Sequence, residues 1–206
     1  MQELLNEAKR LASEGVKELV LVAQETTLYG KDLTGEKQLP LLLHELCKIE
    51  GIEWIRLLYC YPEEITDELI KVIKTEEKVC NYIDMPIQHS ENRILQRMGR
   101  RTSREDLVAV IKKLRKEIPD ITIRTTLITG FPGESQEDHE GLMNFVEECQ
   151  FDRLGVFTYS PEEDTLAATF EDQIDEEVKE ERRDELMSLQ QEISYEHTQQ
   201  LVGKTI

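Results

Sequence analysis

Thr125-Thr-Leu-Ile-Thr-Gly-Phe-Pro-Gly-Glu-Ser135 reads as a buried strand, a glycine-bearing turn and the start of a helix. The β-branched run favours a strand. Gly130 and Gly133 permit a tight turn and a close approach of backbone to a ligand. Ser135 and Asp138 have capping-box spacing, so the spacing predicts a helix from Ser135. This leaves free backbone N–H groups at a strand's C-terminal end, where α/β proteins usually bind ligands. An ordinary strand-to-helix turn without a ligand is the plain alternative.

Outward from this stretch, helix-like and strand-like segments alternate. A helix over about 1–14 stops at Gly15. Strands are expected at Glu18–Gln24, Glu53–Tyr59, Lys78–Ile87, Ile121–Thr129 and Arg153–Ser160. Between them fall helices from near Pro40, from Thr66 to about Lys74, over 91–97, from Ser103 to Glu117, and after Ser135. Leu107, Val110, Ile111, Leu114 and Ile118 share a helix face, as do Leu142, Phe145, Val146 and Cys149. A charged helix over Asp175 to about Gln200 carries a thin apolar stripe of Val178, Leu186, Leu189 and Ile193. This rhythm predicts βαβ units and a parallel sheet, wound as a barrel or an open doubly wound sheet. Polar residues gather at the strand ends: Gln24-Glu25, Tyr59-Cys60-Tyr61, Gln88-His89, Thr129-Gly130 and Tyr159-Ser160. In a barrel they share one mouth.

Charge narrows the partners. The net charge is −18, and residues 161–200 alone hold fourteen acidic and three basic side chains. Such acidity argues against tight binding of bare nucleic acid and suits a basic protein partner. Residues 93–116 run the other way, with nine basic and two acidic residues, and read as a phosphate contact or a solvated helix face. No apolar run is long enough to span a membrane and no signal peptide is visible, so a cytoplasmic protein is expected. Cys47, Cys60, Cys80 and Cys149 lack metal-ligand spacing and read as buried small side chains. There is no P-loop, GxGxxG, HExxH or GxSxG.

Single residues admit two readings each. Arg124, amid apolar neighbours, needs an anion: a ligand carboxylate or an internal Asp or Glu. His89 suits a general acid/base, a ligand donor or a structurally satisfied histidine. Glu134 suits an amine or ribose hydroxyl, or simply favours the helix N-terminus it precedes. Phe157 and Tyr159 share a strand face, for stacking on a flat ring or for packing.

Five ordered motifs resemble the radical S-adenosylmethionine methylthiotransferases, and the similarity runs essentially end to end. Ala23-Gln-Glu-Thr-Thr-Leu-Tyr-Gly30 is similar to the family's Gln-Asp-Thr-Thr-x-Tyr-Gly segment. Tyr82-Ile-Asp-Met-Pro-Ile-Gln-His89 resembles its Tyr-Ile-Asp-Ile-Pro-Leu-Gln-His, and Arg97-Met-Gly-Arg100 its Met-x-Arg. Arg124 to Glu134 resembles Arg-x-Thr-Phe-Ile-Val-Gly-Phe-Pro-Gly-Glu. Gly155-Val-Phe-Thr-Tyr-Ser-Pro-Glu-Glu-Asp-Thr165 is close to Gly-x-Phe-x-Tyr-Ser-Pro-Glu-Glu-Gly-Thr. Three of these places side with the branch that modifies a ribosomal protein over the branch that modifies tRNA. The resemblance implies addition of a methylthio group to the β-carbon of an aspartate in small-subunit ribosomal protein twelve. It implies S-adenosylmethionine, cleaved to a 5′-deoxyadenosyl radical, and two 4Fe-4S clusters in the full-length protein, with an electron donor and a sulfur donor as further partners. It makes tRNA an unexpected partner.

By this resemblance Gln24 and Glu25 align with the segment that contacts the cofactor's methionine part. Gly130, Phe131 and Glu134 align with the ribose and adenine segment, and Phe157 and Tyr159 with the adenine-side strand. Arg124, Gln88 and His89 are expected at the cofactor or its carboxylate. The CxxxCxxC that ligates the family's radical cluster is absent, so neither a metal-ligating nor a catalytic residue is assigned. The expectation is an α/β chain: residues 1–170 form strands two to six of a partial (βα)6 barrel whose first strand is missing. Residues 171–206 then form an acidic linker helix leading toward an absent TRAM domain, which Leu201 to Ile206 would begin. Such a chain is expected to be catalytically incompetent by itself. A tRNA methylthiotransferase and a non-catalytic, partner-binding fragment or degenerate paralogue are the alternatives.

Overall fold

The computed structural model describes residues 1–204 and shows an α/β chain with five strands in one sheet, ordered β1-β2-β3-β4-β5. The end of the TRAM-like segment, residues 205–206, lies outside the described residues. Two compact units divide the chain. The first holds residues 1–85 and 112–122, the second residues 86–111 and those from 123 onward.

In the first unit α1 (Gln2–Ser13) precedes β1 (Glu18–Leu21), α2 (Lys31–Thr34), α3 (Leu39–Cys47), β2 (Trp54–Leu57), α4 (Asp67–Thr75) and β3 (Val79–Asp84). β1 pairs with β2 in parallel from Glu18↔Trp54 to Leu21↔Leu57, and β2 pairs in parallel with β3 through an irregularity between Ile55 and Leu57. Thr66 caps α4 by accepting from the Leu69 N–H at 3.2 Å. Leu43, Ile55, Ile83 and Leu57 are essentially inaccessible to solvent and form the core here. α2 precedes the helix expected near Pro40 and has no counterpart among the elements expected from the sequence. It is a single turn held between Gly30 and Gly35, both with positive φ.

The second unit contains α5 (Asn92–Arg97), the start of α6 (Arg104–Glu117), β4 (Thr122–Thr129, from Ile123), α7 (Gln136–Cys149), β5 (Arg153–Thr158) and α8 (Glu176–Gln199). β4 and β5 run parallel in register from Arg124↔Arg153 to Thr129↔Thr158. Ile123, Thr125, Leu127 and Thr129 are buried, alternating with half-buried residues, as a strand with one covered face requires. The capping box at Ser135 is present in full. α7 buries Leu142, Phe145, Val146 and Cys149 as the spacing predicts, and His139 one turn earlier.

α8 packs on β5 and α7. Its buried residues are Lys179, Arg182, Leu186, Gln190 and Ile193. This corrects the apolar stripe expected from the sequence, because Val178 and Leu189 lie at its margin while three polar side chains occupy the buried line. Those polar groups find carbonyl and carboxylate partners: Gln190 donates to the Phe151 carbonyl at 2.8 Å, Lys179 to the Tyr159 carbonyl at 3.0 Å. Burial without such bonds costs several kcal/mol, about 2–7 by transfer measurements.

Four of the nine basic residues of the run 93–116 are paired within the chain. Arg93 pairs with Asp138, Arg97 with Asp172 at 2.7 Å, Arg104 with Glu91, and Lys113 with Asp67. This favours structural pairing over the phosphate contact. Among the described residues no helix is long and apolar enough to cross a membrane.

β1 is bonded to β2 alone, and Val20 is 47% exposed. Open strand edges template aggregation. Val20→Lys is expected to slow the growth of light scattering when this chain is warmed. An unchanged rate would show that the β1 edge is not the aggregating surface.

Candidate functional site

The strand ends of the second unit are built around Glu134. Its carboxylate is 2% exposed, with one oxygen accepting the Gly130 N–H at 2.9 Å and the other accepting Arg182 Nη1 at 2.7 Å. Arg182 Nη1 also donates to the Glu134 carbonyl at 3.1 Å. His89, fully buried, accepts the Glu91 N–H on Nδ1 at 3.0 Å, which leaves the ring proton on Nε2. That Nε2 stands 3.3 Å from Glu134 without hydrogen-bond alignment. His89 and Glu134 are therefore internally partnered, and Arg182 is the residue that sequence reasoning missed. Its only signal was a basic residue at helical spacing from Leu186 in an acidic helix.

The turn differs from expectation in one respect. The Gly133, Glu134 and Ser135 N–H groups are bonded to Asp172, Phe131 and Asp138, and Gly130 to Glu134. They are not free for a ligand, because buried backbone donors are costly unless paired. Gly130 has φ +70, and a Cβ there would lie 2.2 Å from a Lys179 side-chain carbon. The close approach it permits is thus to α8.

Orphaned polar atoms mark what remains available. Gln88 has φ +76, an uncommon conformation for a residue with a side chain. Its backbone nevertheless bonds Thr126 and Ile128. Its Oε1 is buried without a partner, as are Thr129 Oγ1 and the Tyr159 hydroxyl. These three sit on neighbouring chain ends: Gln88 bridges Leu127 of β4, and the Tyr159 N–H donates to the Thr129 carbonyl. Phe131 packs edge-on against Tyr159 and Phe170, with centroids 5.1 and 6.3 Å away. Phe157 is 60% exposed and shares a face with Ile128 and Arg124 through the β4–β5 register. Arg124 is half-buried. Of the aromatics, Phe157 is open for stacking and Phe131 is packed.

In the first unit Gln24 is exposed at the end of β1. Glu25 instead caps the turn at Thr26–Leu28, accepting from Thr27 N–H at 3.0 Å and from Tyr61 N–H at 3.3 Å. Its second oxygen is buried without a partner, and burial pushes its pKa up against the opposing hydrogen bonds. Beside it, an apolar cavity of about 360 Å³ is lined by Leu4, Ala8, Leu21 and Leu42. Tyr59, φ +56, donates its N–H to buried Asp84, another group not singled out in the sequence.

Unpartnered acceptors and hydroxyls at these strand ends, and an exposed aromatic on β5, have the chemistry that an adenosyl group would need, although the register puts Thr129 on the face opposite Phe157. An iron–sulfur cluster does not fit. Burial and the neighbouring Glu76 push the Cys47 thiol up to about 11, and burial raises Cys60 further. Cluster ligation needs thiolates. Among the described residues no group of three or more His, Cys, Asp or Glu is placed to hold a metal.

A carboxyl whose folded pKa is raised destabilises the fold as pH climbs from its unfolded value through the folded one. Glu25→Gln is therefore expected to raise Tm by a few degrees at pH 7, about 2–4 °C per kcal/mol for a chain of this size. The gain should vanish below the ordinary carboxylate range. An equal gain at both pH values would assign the effect to something other than ionisation.

Comparison with known proteins shows what the chain is similar to. The chain is 61% identical over its whole length to ribosomal protein uS12 methylthiotransferase RimO of Lachnoclostridium phytofermentans and covers 47% of that protein. It is 57% identical to the Clostridium perfringens protein of the same name over 99% of the chain, covering 46% of that protein. The chain thus spans just under half the length of these curated relatives. In fold it is similar to coproporphyrinogen III oxidase (HemN) of Escherichia coli, with TM-score 0.71, 18% identity and coverage of 93% of this chain and 46% of that one. It also resembles the radical S-adenosylmethionine methyltransferase TsrM of Kitasatospora setae, with TM-score 0.60, 16% identity and coverage of 76% and 30%. The family profile described as the Radical SAM superfamily matches residues 1–146, and the chain belongs to that superfamily.

Proposed function

We propose that this chain is the S-adenosylmethionine-binding part of a methylthiotransferase. The proposed reaction places a methylthio group on the β-carbon of an aspartate in ribosomal protein uS12. The observation that carries the reading is the 61% identity over 206 residues to a protein named as a ribosomal protein uS12 methylthiotransferase. A basic ribosomal substrate also suits a chain of net charge −18, and a ribosomal substrate implies action in the cytoplasm.

The proposal divides the site residues by their geometry. Phe157 stacks on the adenine, and Gln88 Oε1 and the Tyr159 hydroxyl meet the polar edges of the adenosyl group. Gln24 and Arg124 are assigned to the methionine end, where a guanidinium suits a carboxylate. Gly130, Phe131, His89, Glu134 and Glu25 shape the walls rather than touch the ligand. When bound, S-adenosylmethionine supplies the radical-forming sulfonium. The four cysteines supply no cluster site, so the two 4Fe-4S clusters of the proposed enzyme are assigned to residues this chain does not contain. Electron and sulfur donors complete the proposed set of partners.

Two measurements test this. Saturation-transfer NMR should detect weak S-adenosylmethionine binding with strongest transfer to adenine protons, reduced several-fold in Phe157→Ala. Transfer unaffected by Phe157→Ala would refute the assignment of the strand ends. Anaerobic iron–sulfide reconstitution should leave the chain without a stoichiometric cluster. A stable cluster would mean that some of the four cysteines converge, contrary to the fold described.

A further inference from the structure

α8 does more than follow the last strand. Glu134 is buried in the turn after β4, and its second oxygen has one donor, Arg182 of α8, at 2.7 Å. The same Nη1 holds the Glu134 carbonyl at 3.1 Å, so one guanidinium nitrogen grips both side chain and backbone of the turn. One helical turn earlier, Lys179 lies with its aliphatic carbons where a Gly130 Cβ would be, and its ammonium donates to the Tyr159 carbonyl at 3.0 Å. The ammonium also stands 5.6 Å from the Tyr159 ring centroid. Both cations are under 10% exposed. The two ends of the strand pair β4–β5 are thus each tied to α8 by a buried cation.

An unpaired buried carboxylate is strongly unfavourable, so the turn holds this shape only while Arg182 is in place. Glu134 in turn pins the Gly130 N–H, and Tyr159 carries one of the orphaned hydroxyls.

We propose that Arg182 and Lys179 are positioning residues for the ligand-binding strand ends, acting through Glu134 and the Tyr159 backbone without touching the ligand. The proposal rests on the functional reading above, which places an adenosyl ligand at these ends. It makes α8 a part of the site, and displacement of α8 a way to loosen it.

The test uses the full chain and S-adenosylmethionine as probe. Arg182→Met is expected to weaken binding about tenfold, read by ligand-detected NMR titration, and to speed hydrogen exchange of residues 130–134 while β2 and β3 keep their protection. Arg182→Lys, which keeps a cation beside Glu134, should recover a large part of the affinity. A merely structural arginine would not show this rescue. The exposed Arg183→Met serves as the control and should bind as the unsubstituted chain does. If Arg182→Met fails to fold, Arg182→Met with Glu134→Gln removes both charges of the pair, and weakened binding is again expected. Unchanged affinity in a folded Arg182 variant, with Phe157→Ala still weakening binding, overturns this proposal alone. Unchanged affinity in Phe157→Ala overturns the reading beneath it and this proposal with it.

Discussion

The second unit depends on one buried carboxylate. Glu134 has no access to water, so each of its oxygens must find a donor inside the protein. The Gly130 N–H, four residues back, supplies one and closes the turn. Arg182, 48 residues on, supplies the other and determines where α8 can lie. His89 adds a third neighbour at 3.3 Å from the segment after β3. Three stretches distant in sequence converge on one side chain. Hydrophobic contact alone does not impose such directionality, because it is proportional to area and indifferent to angle.

The same economy governs the rest of α8. An amphipathic helix normally docks by an apolar stripe. Here Leu186 and Ile193 anchor the middle and end of the buried line, while Lys179, Arg182 and Gln190 fill it between and before them. Each of the three meets a carbonyl or carboxylate oxygen of the unit. Such polar docking costs desolvation and rewards only one register, so it contributes specificity of placement more than stability. The charges of residues 93–116 follow a related logic. Arg93, Lys113 and Arg97 lie opposite acidic partners in α7, α4 and the segment before α8.

What remains open to a ligand is correspondingly small. The N–H groups of Gly130, Gly133, Glu134 and Ser135 are consumed, and so is the Glu134 carboxylate. The unsatisfied buried atoms include Gln88 Oε1, Thr129 Oγ1 and the Tyr159 hydroxyl at the ends of neighbouring strand segments, and Phe157 is the exposed aromatic of β5. Gln88 achieves its position with a positive φ, a strain of the kind that persists only where surrounding structure enforces it. Among the described residues the four thiols form no metal-holding group, and burial holds Cys47 and Cys60 well above the ordinary thiol range.

The order and type of nearly every element were readable in the sequence, because strand and helix periodicities are local and the Ser135–Asp138 and Thr66 caps act within three residues. The strand-end location of Gln24, Gln88, Gly130 and Tyr159 followed from the same rhythm. Motif resemblance to the family was likewise a property of short segments. The division of labour among the site residues was not local. Whether Glu134 faced a ligand or an arginine depended on a residue 48 positions away, in a helix whose expected apolar stripe shared Leu186 and Ile193 with the buried line but did not include Arg182. Whether Phe131 packed or stacked depended on Phe170 and Tyr159. The sequence by itself determined the alternation of strands and helices and the residues that meet at their ends. Only the tertiary structure decided which of those residues are consumed in holding one another, because a buried polar group's partner is chosen by position in space and leaves no periodic trace along the chain.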